Sequence, residues 1–245
     1  MRGFWTLTVT EAKLFTREPA AAFFTLIFPL MLLFVFGSIF GNDPSAELDG
    51  RGSVDSSVPG YMALIIATTG LLGLPLVLAN YREQGILRRL RATPVRPLTV
   101  LGAHIAVQLA MTIIGVTLLI IAGRIVYGLQ WPRAPATTVL AFLLASLSFY
   151  AAGFVLASLL PTPRVAETVG QAIYFPMLFL SGATFPRQMM PDTVRALAEA
   201  LPMTHIVILL SDLWFGEGWA WVSAAVLAGL LVAGVAVSAR TFRWE

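Results

Sequence analysis

The chain has 245 residues, 58% of them hydrophobic and only 12% charged, with a formal net charge of +3. Soluble domains carry roughly 25% charged residues, so this composition defines an integral membrane protein. The absence of cysteine rules out disulfides and thiolate chemistry, and the two histidines, His104 and His205, stand too far apart in sequence to suggest a metal cluster. The basic residues sit at the ends of apolar stretches rather than on a polar surface interleaved with aromatics, which argues against a nucleic-acid partner.

In chain order, residues 2–18 place Arg2, Thr6, Thr10, Lys13 and Arg17 on one helical stripe, with Phe4, Trp5, Leu7, Val9, Leu14 and Phe15 over most of the remainder. This predicts an amphipathic helix at the membrane surface, broken at Pro19. Charged residues interrupt any continuous apolar run here, so the segment does not read as a secretory signal and is expected to stay in the mature protein. Either of two roles fits it: a leader that positions the first span, or a contact with another subunit.

Span one is predicted over 20–41, long enough at 1.5 Å per residue to cross a core of roughly 30 Å, with Pro29 as a kink. Residues 42–57 carry Asp43, Glu47, Asp49 and Asp55 and form an outside loop. Span two, 58–79, again holds an internal proline, Pro75. The segment 80–97 then concentrates Arg82, Arg88, Arg89, Arg91 and Arg96, five of the 16 cationic residues. Short Arg-rich loops beside spans face the cytosol. Within it, helix formers from Glu83 to Leu90, interrupted only by Gly85 and stopped by Pro94 and Pro97, predict a surface-lying amphipathic helix. A plain topogenic loop whose arginines meet anionic headgroups is the competing reading.

Span three is predicted over 98–123, closing near Arg124, and span four over 136–160. A tight turn at 161–167 with Arg164 leads to span five, 168–185, which contains Pro176. Residues 186–216 are too polar for an ordinary span and too apolar for a free loop. Pro191 and Asp192 predict a short helix through Leu201, capped by Asp192, and Pro202 restarts the chain into a second half-helix, Met203 to Phe215, dipping into the outer leaflet. Span six is predicted over 217–239. With both termini inside, eleven cations fall on the cytosolic side and Arg51, Arg124, Arg133, Arg187 and Arg195 outside, in keeping with the positive-inside rule. No linker divides the chain, so one membrane domain covers 1–245.

A phosphate-binding loop requires a lysine after glycine, and the single lysine, Lys13, follows Ala12. Ser181 in FLSG and His205 in MTHI invite comparison with rhomboid intramembrane proteases, but Phe179 stands where their first glycine would be. The alternative for these residues is packing at Ser181 and Gly182 and a loop-bonding His205. Ionisable residues lie near span ends, so proton coupling has no obvious carrier.

Three stretches resemble the membrane subunits of type-2 ABC exporters, the group of drug-resistance, nodulation-factor and polysaccharide permeases. They are Arg82-Glu83-x-Gly85-x-Leu87-Arg88-Arg89-Leu90-Arg91-x-Thr93-Pro94, then Pro176 with Leu180-Ser181-Gly182 and Pro186, and Pro191 followed by Leu201-Pro202-Met203-Thr204-His205. The chain departs from the family at Leu201, where Asn is common, and at Ile208 and Ser211, where Asp and Arg are frequent. The resemblance implies an all-α integral membrane fold of six transmembrane helices, with 2–18 as an interface helix, 82–93 as a cytosolic coupling helix and broken half-helices between spans five and six. It further implies a permease in the plasma or inner membrane that dimerises with itself or a related permease. Two ATP-binding subunits would carry ATP and Mg, so this chain would bind no cofactor and catalyse nothing itself. The expected cargo is an amphipathic, drug-like or lipid-linked compound, with a polysaccharide or glycolipid as the alternative. Pro29, Pro75 and Pro176 are then flex points or static packing kinks; a membrane scaffold without transport and a Ser181/His205 protease are the readings from other classes.

Overall fold

Proline has no amide hydrogen and its ring crowds the preceding turn, so a proline within a membrane span must be accommodated by the surrounding helix geometry. The computed structural model, which describes residues 22–86 and 97–241, shows how the first two spans do so. In α1, Phe23–Phe40, the stretch Phe23–Ile27 is wound as a π-helix, and the amide of Phe28 reaches back five residues to the carbonyl of Phe23, immediately before Pro29. In α2, Ser53–Glu83, the stretch Thr68–Gly73 does the same, the amide of Leu74 bonding to Thr69 just before Pro75. The two anticipated kinks are therefore π-turns that widen the helix ahead of each proline. Pro176 lies inside its helix without such a turn.

The remaining helices are α3, Pro97–Tyr127, α4, Pro135–Leu159, α5, Pro163–Leu180, α6, Asp192–Ala198, α7, Pro202–Phe215, and α8, Trp221–Thr241. Among the described residues there is no β-strand; an isolated bridge joins Ser45 and Arg51. Five helices, α1 to α4 and α8, are long and apolar enough to cross a membrane, or six if the bent α6–α7 pair is one span. α5 has the length, but Arg164, Glu167 and Gln171 in its first half make it more polar.

α2 forms the axis of the bundle. Every residue from Ser57 to Leu71 is buried, as expected of a helix that is apolar all round. α1, α3, α4, α5 and α7 surround it, and α8 packs on the far side of α4, where a Cβ on Gly234 would come within 2.8 Å of Ala151. α1 and α3 turn Phe34, Ile39, Ile121 and Ile125 outward.

The boundaries of four helices are informative where they differ from those expected. α2 begins at Ser53, not 58, because its polar first turn is satisfied within the fold: Asn42 Oδ1 accepts from the Asp55 amide at 3.0 Å and Asp55 Oδ1 accepts from the Gln130 amide at 2.9 Å. α3 continues past 123 to Tyr127, with Arg124 in its last turn donating to the Leu129 carbonyl at 2.8 Å. α5 starts at Pro163, inside the expected turn, since Thr162 caps it by accepting from the Val165 amide, and it ends at Leu180. α6 stops at Ala198 rather than Leu201, and Asp192, its first residue, makes no cap hydrogen bond; its carboxylate instead lies 3.6 Å from Arg195. The expected interface helix at 2–18, with Phe4, Lys13, Phe15 and Arg17, lies outside the described residues, as do Leu87, Arg88, Arg89, Arg91 and Thr93.

Candidate functional site

A helix buried in hydrocarbon cannot leave hydroxyl groups unpaired without cost, and α2 places two adjacent threonines in its π-turn. Thr68 shares a hydrogen bond of 2.9 Å with the Tyr174 hydroxyl of α5. Thr69 shares one of 3.0 Å with Thr112 of α3, which in turn meets the Tyr150 hydroxyl of α4 at 2.7 Å. Thr69 Oγ1 also lies within hydrogen-bond distance of the Ile65 and Ile66 carbonyls and Thr112 Oγ1 of the Gln108 carbonyl, so the single proton of each threonine hydroxyl is shared between its own helix and a neighbour. All five side chains are buried. One turn of α2 thus ties together α3, α4 and α5. Sequence reasoning missed this hub; the signal was the pair Thr68-Thr69 beside Gly70 within an apolar stretch of α2, matched by Thr112, Tyr150 and Tyr174 in three other helices.

The same turn is where backbones touch. A Cβ on Gly153 of α4 would collide with the Gly70 carbonyl, and one on Gly70 would lie 2.9 Å from Phe149. A Cβ on Gly170 of α5 would lie 3.0 Å from the Leu71 carbonyl.

α2 ends at the pole where α3 begins, which also holds the α4–α5 turn and the end of α8. Arg82 sits in the last turn and donates to the carbonyls of Leu160 and Ala157 at 3.0 and 2.9 Å, binding the end of α2 to the carboxyl end of α4. Glu83 is exposed. Gln84 caps the helix and Gly85 follows with φ +65°, a left-handed conformation that favours glycine. The helix expected over 82–93 therefore does not start at Arg82: Arg82 and Glu83 finish α2, and Gly85 turns the chain before the basic segment. Ser158 and Thr241 share a bond of 2.8 Å that fixes α8 at this same pole.

The opposite pole holds the bent pair. α6 and α7 meet at 104°, joined through Thr204, whose hydroxyl donates to Ala198 at 2.6 Å. Beside them lies a cavity of about 310 Å³ lined by Arg51, Arg187, Arg195, Asp212 and Glu217 among others. Arg51 pairs with Glu217 and lies 3.9 Å over the Phe215 ring, and Arg187 pairs with Glu199 at 3.3 Å. Burial lowers the pKa of the Arg187 guanidinium, an effect Glu199 opposes.

Pro191 and Pro202 each stand directly before or at a helix start, in keeping with the predicted half-helices. Ser181 and His205 are not brought together. Ser181 is fully buried and its hydroxyl accepts from the Ala183 amide at 3.3 Å. Both ring nitrogens of His205 are engaged, one with Ser223 of α8 at 3.1 Å and the other with the Glu199 carbonyl at 3.0 Å. No nitrogen is left to act as a base toward Ser181. Gly182, at φ +89°, leaves room for the Arg187 side chain, so it serves packing.

These features define a polytopic helical membrane protein whose deeply buried second helix runs from the interior of the bundle to the pole that holds Arg82. It belongs to the ABC-2 type transporter family, whose match runs over residues 2–215. The chain is 24% identical over 202 residues to "ABC transporter G family member 20" of Dictyostelium discoideum, covering 80% of this chain but only 27% of that protein. It is 26% identical over 212 residues to "Putative transport permease ycf38" of Cyanophora paradoxa, 85% of this chain and 72% of that one. A shorter match, 35% over 75 residues, is to "Nodulation protein J" of Bradyrhizobium diazoefficiens, 31% of this chain and 29% of that one. The chain thus spans less than a third of the length of the Dictyostelium and Bradyrhizobium proteins it matches. With His205 engaged elsewhere, replacing Ser181 by alanine is expected to cost about 1 kcal/mol or less of stability, measured by thermal unfolding in detergent.

Proposed function

We propose that this chain is the membrane-spanning half of an ATP-driven exporter that moves an amphipathic, drug-like or lipid-linked compound out of the cytosol or inner leaflet. The pole holding Arg82, Arg164 and Arg240 faces the cytosol, following the bias of short Arg-rich loops. Two ATP-binding subunits, which carry ATP and Mg, dock on the segment after Gly85, and a second permease, identical or related, completes the assembly.

The observation that carries this reading is the Arg82 clamp. A partner pressing on the basic segment acts on the end of α2, and the two hydrogen bonds to Ala157 and Leu160 pass that movement to α4. Within α2 the π-turn at Thr68–Gly73 is where the helix is least regular and so where it bends. A neutral, hydroxyl-lined centre suits an amphipathic cargo better than an ion.

Glu83 is the exposed anionic group beside the arginines and is assigned to the contact with the ATP-binding subunit. Tagged protein purified in mild detergent should bring down an ATPase. Glu83→Arg should reduce cargo-stimulated ATP hydrolysis at least fivefold while the permease still elutes as a folded species. Purification of the chain alone, without ATPase in several detergents, would sink the exporter reading.

A further inference from the structure

α5 carries a charge at a depth where acyl chains cannot satisfy it. The two 31-residue helices fix that depth: α2, Ser53–Glu83, and α3, Pro97–Tyr127, have their midpoints at Thr68 and Thr112, and both threonines belong to the hydroxyl hub. The hub marks the middle of the bundle. Tyr174 of α5 is bonded to Thr68 at 2.9 Å and shares that level. With α5 starting at Pro163 rather than 168, Glu167 falls inside the helix, seven residues from Tyr174 toward the pole that holds Arg82. That is about 10 Å of helix at 1.5 Å per residue, against about 15 Å for half of a hydrocarbon core.

At this level Glu167 is exposed, and it makes no ion pair among the described residues. The Gln171 amide donates to its Oε1 at 3.4 Å. Arg164, three residues nearer the pole and at the edge of the core, does not pair with it. Glu167, Gln171, Phe175 and Phe179 follow at intervals of four and are all exposed, so they form one ridge along the outside of α5. The ridge is polar on the Arg82 side of the hub and aromatic on the other. An acyl chain suits the rings but leaves the carboxylate without a partner, a costly state in hydrocarbon. An anion is repelled by Glu167, and a neutral solute supplies no counter-charge. A cation with an apolar body satisfies both halves: its charge meets Glu167 while its body lies over Phe175 and Phe179, whose ring faces also attract cations.

We propose that Glu167 is a specificity-determining residue that selects a cationic amphiphile as cargo. The proposal rests on the exporter reading above and narrows its cargo class. Glu167 supplies the counter-charge, Gln171 holds the carboxylate in place, and the two phenylalanines take the apolar body.

Binding of tetraphenylphosphonium and of its isosteric anion, tetraphenylborate, to the full chain in nanodiscs would be measured by equilibrium dialysis, with uptake by empty nanodiscs subtracted. The cation should bind at least tenfold more tightly than the anion. Glu167→Gln should weaken the cation at least tenfold and leave the anion no weaker, whereas Glu167→Asp should keep most of the cation's affinity. Because Glu167 is exposed, neither change disturbs packing. Asp43→Asn, which removes an exposed carboxylate from the loop between α1 and α2, should alter neither probe. Equal affinity for the two probes, or an unchanged cation affinity in Glu167→Gln, would overturn the assignment. So would a disulfide between Arg164→Cys in one copy and Glu167→Cys in another, found in a protein that binds no tetraphenylphosphonium, since a second copy would then supply the counter-charge. Purification of the chain without an ATPase would sink the exporter reading and leave the cation site standing, so the two fail separately.

Discussion

Gly153→Leu is expected to leave little folded protein, seen as collapse of the monodisperse peak on size-exclusion chromatography in detergent. The side chain would start from a Cβ already in collision with the Gly70 carbonyl, a backbone atom with no rotamer by which to move aside. Overpacking that a core can absorb costs about 1–3 kcal/mol. Here relief requires α2 to part from α4, which also moves Arg82 from the Ala157 and Leu160 carbonyls. The combined cost approaches the 5–15 kcal/mol that separates folded from unfolded states in most proteins. Gly229→Leu supplies the control: it lies in α8 on an exposed face, and nothing stands within 4 Å of its Cβ. If both variants behave alike, helix propensity rather than the α2–α4 contact governs the result.

Thr112→Val is the second large effect. Valine keeps the shape and removes the hydroxyl that sits between Thr69 and Tyr150, so two buried hydroxyl groups lose a partner. Interhelical hydrogen bonds in membranes average about 0.6 kcal/mol and reach about 1.7, whereas an orphaned buried hydroxyl costs about 1–3. The expected loss is therefore about 1–3 kcal/mol, and it should be coupled. Adding Tyr150→Phe to Thr112→Val should cost less than the sum of the two single changes, because the second removes a group the first has already stranded. Strict additivity in a double-mutant cycle, read by denaturant unfolding in detergent, would mean that the hydroxyls do not act as a network.

Much of the fold was legible where apolar length alone decides. Four spans were placed within a few residues of α1, α3, α4 and α8, and Pro202 correctly announced the second half-helix. Misplaced edges have a common cause. Ser53, Asp55 and Ser57 look like loop residues, but the fold supplies Asn42 and Gln130 as partners, so polar side chains continue a buried helix. At the other end of α2, Arg82 and Glu83 were read into the surface helix, but the left-handed turn at Gly85 leaves them in the last turn of α2. The hub escaped notice because each hydroxyl is unremarkable in its own span; its meaning lies in the pairing of Thr68 with Tyr174 and of Thr69 with Thr112, separations of 106 and 43 residues that no local pattern encodes.

The π-turn in α2 also changes how its length counts. A π-turn takes in an extra residue with little gain in rise, so everything after it is rotated by about 100° relative to a uniform α-helix. The stripe of α2 that faces α4 before Thr68 is therefore out of phase with the stripe that faces it after Gly73, and no single amphipathic period runs along the helix. A one-residue deletion anywhere in Thr68–Gly73 would let the segment close as a regular helix of nearly the same length with Arg82 still directed at Ala157 and Leu160, whereas winding all six residues as α-helix would turn Arg82 away by about a quarter of a revolution. The hexapeptide is thus a reading-frame marker for the whole helix, holding one residue more than the phase of its two ends requires.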